Sequence, residues 1–167
     1  FESTTDVGPM IHARMEPGGE NSGKLVTAIR SYAKQIAQET GHNTIINDGP
    51  PGIGCPVIAS ITGSSDLLFV IEPTKSGLHD AKRIIELSRK FNLKRFALIN
   101  KADMNVEVRQ AIVEILATEN IPLLAEIPYS NDFVEAMIKG LSIAQHNPKS
   151  EITKMLAGVW NHIVNNR

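Results

Sequence analysis

The sequence predicts an α/β domain in which helices cover both faces of a parallel sheet. Short apolar runs alternate with longer segments in which apolar residues recur every three or four positions, as in buried strands and amphipathic helices. Turns rich in Asp, Asn, Gly and Pro follow the apolar runs, and right-handed crossovers would gather these turns at one sheet edge. The 167 residues, 42% of them hydrophobic, are enough for one domain with its own core.

The predicted helices have recognisable start and stop signals. Residues 23–40 carry apolar side chains at helical spacing, and Gly41 can adopt the left-handed conformation that ends a helix. Ser76 is the predicted N-cap of a helix that runs to about residue 91, and Asn105 of one that runs to about residue 118. The remaining predicted helices are a short one at 56–62, a short one at 131–139 that Gly140 ends, and a last one that Ser150 caps.

Four short apolar runs are the predicted strands. Strands of a parallel sheet are buried on both faces and therefore read as near-continuous apolar runs. These runs are residues 44–47, 67–71, 95–99 and 123–127. Residues 1–22 are rich in Gly, Pro, Ser, Thr and Glu, so we expect an arm or an incoming strand there, with an extended candidate at 10–15, and the domain proper at 23–167.

Composition argues against several classes of function. The net charge of −1 gives no bulk attraction to nucleic acid or to an anionic membrane, and no apolar run of 18 residues or signal peptide occurs. The single cysteine, Cys55, cannot form an internal disulfide and favours a reducing, cytoplasmic compartment. A small packed side chain is the favoured interpretation of Cys55, over a reactive thiol or a metal ligand.

Asp48-Gly-Pro-Pro-Gly52 follows the predicted strand at 44–47. A carboxylate at the end of a buried strand can face Mg²⁺ and its water at the carboxyl edge of a sheet. The glycines let backbone N–H groups approach a γ-phosphate closely. An ordinary strand-to-helix turn also uses Asp, Gly and Pro, and the motif alone does not decide between the two.

Asn100-Lys101-Ala102-Asp103 follows the predicted strand at 95–99 and has the spacing Asn-Lys-x-Asp. The amide of Asn100 can hydrogen-bond a purine edge, and the stem of Lys101 can lie along the ring. An aspartate at the fourth position is the guanine selector in GTPases. A turn that caps the next helix is the alternative, but the position after a buried strand favours purine binding.

The run from Gly18 to Leu25 has glycine, four residues and then Gly-Lys. A phosphate-binding loop needs Ser or Thr at the next position for Mg²⁺ and a buried strand before the first glycine. Leu25 has no hydroxyl and no such strand is predicted. We therefore interpret this run as the start of a helix with Lys24 in its first turn.

These motifs together resemble the MinD/ParA/Mrp-type nucleotide-binding ATPases, a P-loop NTPase group also described as the CobQ/CobB/MinD/ParA domain and as cobyrinic acid a,c-diamide synthase. The resemblance extends from about Gly8 to Leu141 and is closest to the MinD-superfamily ATPases that carry an inserted ferredoxin domain. It is carried by the runs 20–26, 48–59 and 72–80 and by Asn100-Lys101.

The resemblance implies a role for each matching residue. Asp48 would hold the Mg²⁺ water network as the switch II carboxylate, and Gly52 would lie at the γ-phosphate contact. Asn100 would recognise adenine. The other nucleotide-binding residues implied are Lys101 and the backbone of Ile127, Pro128 and Tyr129.

The resemblance also implies a Walker A loop near the N-terminus and a cysteine-rich ferredoxin insert just upstream of residue 1. Neither occurs in this sequence. We therefore expect the C-terminal part of a longer protein, without its N-terminal strand and helix, with apolar surface left exposed and with no activity on its own. Any iron–sulfur cluster would belong to the upstream insert.

The expected function is that of an ATP- and Mg²⁺-dependent ATPase that closes as a homodimer and acts on an iron–sulfur or redox partner. One alternative is an ATP-dependent amide synthase of the cobyrinic acid type, which would need an attached glutaminase. Another is a non-catalytic, nucleotide-sensing module that docks an iron–sulfur partner. No nucleic-acid partner is expected.

Overall fold

The computed structural model describes residues 1–5, 8–14 and 22–165. The chain divides into two compact units, Phe1–Ser64 and Ser65–Arg167.

The first unit contains an antiparallel hairpin and two helices. The hairpin joins β1 (Glu2–Thr5) to β2 (Gly8–Ile11), and the helices are α1 (Ser22–Thr40) and α2 (Cys55–Ile61). The predicted helices at 23–40 and 56–62 are confirmed. In the arm or incoming strand predicted at 1–22, β1 and β2 pair as a hairpin, and β2 includes residues 10–11 of the extended candidate at 10–15. Residues 6–7 and 15–21 lie outside the described part of the chain.

Arg30 fixes α2 against α1. Its guanidinium donates hydrogen bonds to the carbonyl oxygens of Ala59, at 2.7 Å, and Thr62, and to the Ser64 hydroxyl, at 3.2 Å. The last carbonyls of a helix have no partner within the helix, so Arg30 satisfies groups that would otherwise need water. Partial burial lowers the pKa of Arg30, which stays fully protonated.

The buried strand predicted at 44–47 is wrong. Residues 42–50 form neither helix nor strand, and the side chain of Ile46 is 76% exposed. An apolar run becomes a strand only where a neighbouring strand accepts its backbone hydrogen bonds. In the part of the chain that the structure describes, no ladder includes residues 44–47.

The second unit is a three-stranded parallel sheet with five helices, and all three strands predicted in it are confirmed. Its strands lie in the order β3 (Asp66–Ile71), β4 (Lys94–Asn100) and β5 (Leu123–Ile127). Its helices are α3 (Lys75–Ser88), α4 (Val106–Thr118), α5 (Asp132–Ile138), α6 (Ile143–His146) and α7 (Glu151–Asn165). Only α6, a single turn, was not predicted.

Helices cover both faces of this sheet, as predicted. On one face the side chains of α3 and α4 pack against β3 and β4, and on the other face α7 packs against β4 and β5. Successive residues of β4 point to opposite faces, so Ile99 meets α4 whereas Leu98 meets α7. Ala97 and Ile99 are 0% exposed, which places the centre of the core at β4.

The Glu119 side chain, which follows α4, contacts α3 and β4 at the amino end of the sheet. Its carboxylate accepts a hydrogen bond from Arg89 Nε at 3.1 Å and lies 3.6 Å from the guanidinium of Arg95 at the start of β4. The hydrogen bond from Arg89 is the main reason that the pKa of Glu119 is lowered. These three charged side chains therefore join the ends of α3 and α4 to the start of β4.

The N-cap of α3 is Thr74, and the predicted cap, Ser76, lies inside the first turn. The Thr74 hydroxyl accepts a hydrogen bond from the Gly77 N–H at 2.9 Å. A Cβ on Gly77 would lie 2.3 Å from the carbonyl oxygen of Glu72, so only glycine allows this turn to close. The buried Pro73 lies between the end of β3 at Ile71 and the cap, and it has no N–H with which to continue the strand.

Replacement of Thr74 by alanine should destabilise the second unit by about 1 kcal/mol, because the Gly77 N–H loses its acceptor. The matched control Ser76→Ala removes only the exposed contact of its hydroxyl with that of Thr74, at 3.2 Å, and should change the unfolding free energy by less than about 0.5 kcal/mol. Urea denaturation of both variants measures the difference. A larger loss of unfolding free energy in Ser76→Ala than in Thr74→Ala would mean that Ser76 is the N-cap, as predicted from the sequence.

Candidate functional site

The three parallel strands end level with one another and place the following loops at one edge. Ile71 pairs with Ile99, and Asn100 with Ile127, so the loops begin at adjacent positions. In open α/β sheets the crevice at the carboxyl ends of the strands is where ligands bind. The loops after β3, β4 and β5 of the second unit therefore form the candidate site.

The loop after β4 begins with an unusual backbone conformation. Lys101 has a φ of 53°, in the left-handed region that non-glycine residues rarely adopt. Its N–H donates a hydrogen bond to the Asn100 side-chain oxygen at 3.1 Å. Strained residues of this kind cluster at functional sites, where the surrounding structure holds them in place.

Two hydrogen bonds join the loop after β4 to the loop after β5. The Ala102 N–H donates to the carbonyl oxygen of Ile127 at 2.9 Å. The Tyr129 N–H donates to Asp103 Oδ1 at 2.8 Å. The first contact uses the buried end of β5 and the second uses the exposed turn beyond it, so together they fix the path of both loops.

An ion pair joins the loops after β3 and β4. Lys101 Nζ lies 2.7 Å from Glu72 Oε1, and the two side chains are 37% and 41% exposed. A pair in contact with solvent contributes little to stability. Its main effect is to hold the Lys101 ammonium over the carboxyl edge of β3.

A cavity of about 500 Å³ lies beside the joined loops. Its residues are Ala102, Asp103, Val106, Arg109, Glu126 and Pro128. Arg109 reaches Glu126 at 3.3 Å, and its buried Nε has no hydrogen-bond partner in the structure. The cavity is an open depression, and three of its six lining side chains, those of Asp103, Arg109 and Glu126, are charged.

The structure brings together five of the seven predicted site residues. These are Asn100, Lys101, Ile127, Pro128 and Tyr129, all at the carboxyl edge of the second unit. Sequence reasoning did not identify the bond from Tyr129 to Asp103 or the pair Arg109–Glu126, because no local pattern links residues so far apart in the chain.

The other two predicted residues, Asp48 and Gly52, lie on the loop between α1 and α2 of the first unit. Both are exposed, and Gly52 has a φ of 89° that favours glycine. Asp48 does not end a buried strand, since residues 42–50 are not a strand. A role for Asp48 toward Mg²⁺ stays a prediction.

The run that begins at Gly18 lies largely outside the described residues. Lys24 is in the first turn of α1, as predicted. A Cβ on Gly23 would lie 3.2 Å from Cys55 Cβ, so the two helix starts approach closely. Cys55 itself is exposed, and the prediction of a packed side chain is wrong.

The described residues contain neither a metal-binding cluster nor a membrane-spanning helix. Among residues 1–5, 8–14 and 22–165, no group of three or more His, Cys, Asp or Glu side chains could hold a metal ion. None of the helices in these ranges combines the length and the apolar character needed to cross a membrane.

The chain is similar to proteins of Methanocaldococcus jannaschii. It is 39% identical to the uncharacterised protein MJ0578 over 97 residues, and this matched region covers 58% of this chain and 34% of that protein. It is 28% identical over 162 residues to the uncharacterised protein MJ0579, covering 96% of this chain and 54% of that protein. An uncharacterised ATP-binding protein, MJ0823, is 28% identical over 99 residues, covering 59% and 37%. No family model matches the chain.

Solved structures of MinD proteins share the fold. The cell division ATPase MinD of Pyrococcus furiosus superposes with a TM-score of 0.66 at 20% identity, over 88% of this chain and 60% of that one. The MinD cell division protein of Aquifex aeolicus superposes with a TM-score of 0.70 at 16% identity, over 98% and 68%. The chain thus has a MinD-like α/β fold, and it spans 34 to 54% of the length of the three curated relatives.

The Lys101→Gly variant should be more stable than Lys101→Ala by about 1 kcal/mol. Both variants lack the ammonium, but only glycine adopts the left-handed conformation without strain. The same pair of substitutions at Lys82, in the exposed face of α3, should show the opposite order, with glycine less stable by about 1 kcal/mol. Chemical denaturation measures all four variants. If glycine were less stable than alanine at position 101, as is expected at position 82, the left-handed backbone conformation of Lys101 would be contradicted.

Proposed function

We propose that this chain supplies the base-binding edge and a metal-linked carboxylate of a MinD/ParA-like ATPase. The observation that carries the proposal is the pair of joined loops after β4 and β5, which present Asn100 and the backbone of 127–129 at the carboxyl edge of the sheet. A MinD-like fold and the similarity to a protein described as ATP-binding support it.

The base-side residues have separate roles in this proposal. The side-chain amide of Asn100 reads the adenine edge, for which one donor and one acceptor suffice. The backbone of Ile127, Pro128 and Tyr129 flanks the ring. Lys101 lies along the nucleotide, where its ammonium can exchange Glu72 for a phosphate oxygen.

Asp48 and Gly52 are the proposed residues on the phosphate side. Magnesium in nucleotide sites keeps several waters and is held by one or two carboxylates and the phosphates. An exposed carboxylate such as Asp48 fits a contact through water in such a site. Gly52, with its positive φ, could present its N–H to the γ-phosphate.

The phosphate-binding loop is the part that this sequence does not supply. The run 18–25 ends in Leu25, which has no hydroxyl for Mg²⁺. Backbone N–H groups and the lysine of such a loop cradle the phosphates in these enzymes. We therefore expect that these 167 residues, tested by themselves, bind ATP weakly and do not hydrolyse it.

We further propose that the protein closes as a homodimer and acts on an iron–sulfur partner. This part rests on the sequence resemblance, and no contact within the described residues adds to it. Nothing in the fold or in the similar proteins favours an amide synthase or a non-catalytic sensing module, so neither is proposed.

Replacement of Asp48 by Asn should lower kcat for ATP hydrolysis by at least about a hundredfold in the protein as its gene encodes it, because the amide cannot hold the Mg²⁺ water network. Asp80→Asn, on the exposed face of α3, is the matched control and should leave kcat unchanged. A steady-state phosphate-release assay measures both. Unchanged turnover in the Asp48 variant would remove this residue from the proposed site.

Replacement of Asn100 by Ala should weaken ATP binding by about 1–3 kcal/mol, the cost of an unmade polar contact to the base. Asn92→Ala, in the exposed connection before β4, provides the control at the opposite edge of the sheet. Titration calorimetry measures both affinities. Equal ATP affinity in the Asn100 variant and the unmodified protein would mean that Asn100 serves only the turn.

A further inference from the structure

We propose that the exposed side of α5 is a self-association surface, at which α5 of one copy packs antiparallel against α5 of a second copy. The contact needs no nucleotide and is therefore separate from the closure proposed above. The side of α5 that its own unit holds and the order of charges along the helix both indicate this contact.

The apolar side of α5 faces solvent. Val134, Met137 and Ile138 lie on one side of the helix, because residues three and four positions apart are neighbours on a helix surface. Met137 and Ile138 are 72% and 77% exposed, and Val134 is exposed as well. Phe133, one turn before Met137, widens this exposed surface, whereas Ala136 is the only buried residue of α5. A helix normally turns its apolar side to the core, so the reverse orientation here marks an interaction surface.

The polar side of α5 is the side that its own unit holds. The Asp132 carboxylate accepts a hydrogen bond from Asn147 Nδ2 at 3.1 Å, and Glu135 Oε2 lies 3.4 Å from His146 Nε2. Both partners lie at the end of α6. These contacts from α6 therefore fix α5 with its apolar side outward.

The charges along α5 suit a second copy of the same helix. Asp132 and Glu135 lie in its first turn, and Lys139 is its C-cap. In a two-fold symmetric, antiparallel pair centred on Met137, Glu135 lies opposite Lys139 of the partner subunit, since both are two residues from the centre. Opposite charges thus meet on each side of the axis, and the two helix dipoles also run in opposite directions. A parallel pair would instead bring the two acidic first turns together.

Both charged side chains can turn toward a partner at small cost. The side chain of Glu135 is 58% exposed, and its contact with His146 is an ion pair only when His146 is protonated. Lys139 is exposed and lies 3.5 Å from His146 Nδ1. Contacts of this kind in solvent contribute little to stability. Two helical turns from each copy make a small interface, so we expect a weak dimer whose population depends on concentration.

Sedimentation velocity over a concentration series, without nucleotide, tests the proposal on the protein as its gene encodes it. The average mass of the unmodified protein should rise with concentration. Met137→Glu should raise the dissociation constant of the dimer at least about tenfold, because it places two unpaired carboxylates at the symmetry axis. Met10→Glu, at an exposed position of β2, is the matched control and should leave the dissociation constant unchanged.

A charge exchange tests the antiparallel arrangement. Glu135→Lys alone, or Lys139→Glu alone, sets like charges opposite one another and should raise the dissociation constant at least about threefold. The double variant restores opposite charges in the reverse order and should recover the affinity of the unmodified protein. Only a contact between two copies of α5 predicts this recovery, and thermal unfolding of each variant shows whether it is folded.

Three results would overturn the proposal. The first is a protein that stays monomeric without nucleotide at concentrations up to about 1 mM. The second is association that Met137→Glu leaves unchanged, because another surface would then carry it. The third is a double variant that associates no better than the single variants. ATP affinity, measured on the same samples, reports separately on the proposed function, since neither property requires the other.

Discussion

Parallel pairing of β4 with a strand on each side is the constraint on which the second unit depends. Parallel neighbours cannot be joined by tight turns, so α3 and α4 must cross over the sheet between the strands. These crossovers bury one face, α7 buries the other, and Ala97 and Ile99 lose all contact with solvent. The same geometry places every strand's carboxyl end at one edge. The core and the candidate site are thus two consequences of a single topology.

Bonds that cross from one strand's loop to the next add to the hydrogen bonds within each loop at that edge. Ala102 bonds to Ile127, Asp103 to Tyr129, and Lys101 pairs with Glu72. The left-handed Lys101 costs backbone energy, which the surrounding bonds offset. A base approaching this edge would meet groups whose positions are already set, so little ordering would be required when it binds.

Sequence reasoning succeeded in the second unit where local pattern and tertiary context agree. The runs at 67–71, 95–99 and 123–127 became strands because each has a neighbour in the sheet, and Asn105 caps α4 as its position predicts. The same reasoning failed at 44–47, since an apolar run does not reveal whether a partner strand exists. The bond from Tyr129 to Asp103 could not be predicted, because it joins residues 26 positions apart whose meeting depends on strand register.

The segments that carry the predicted site residues differ in what determines their paths. The residues after β4 and β5 follow paired strands of the second unit, and hydrogen bonds from Ala102 to Ile127 and from Tyr129 to Asp103 join them. Asp48 lies in the first unit, in residues 42–50, which no helix or strand includes. The register of parallel strands therefore determines where Asn100 lies, whereas the path of the Asp48 loop follows from the ends of α1 and α2, which Arg30 joins by its bonds to the last carbonyls of α2.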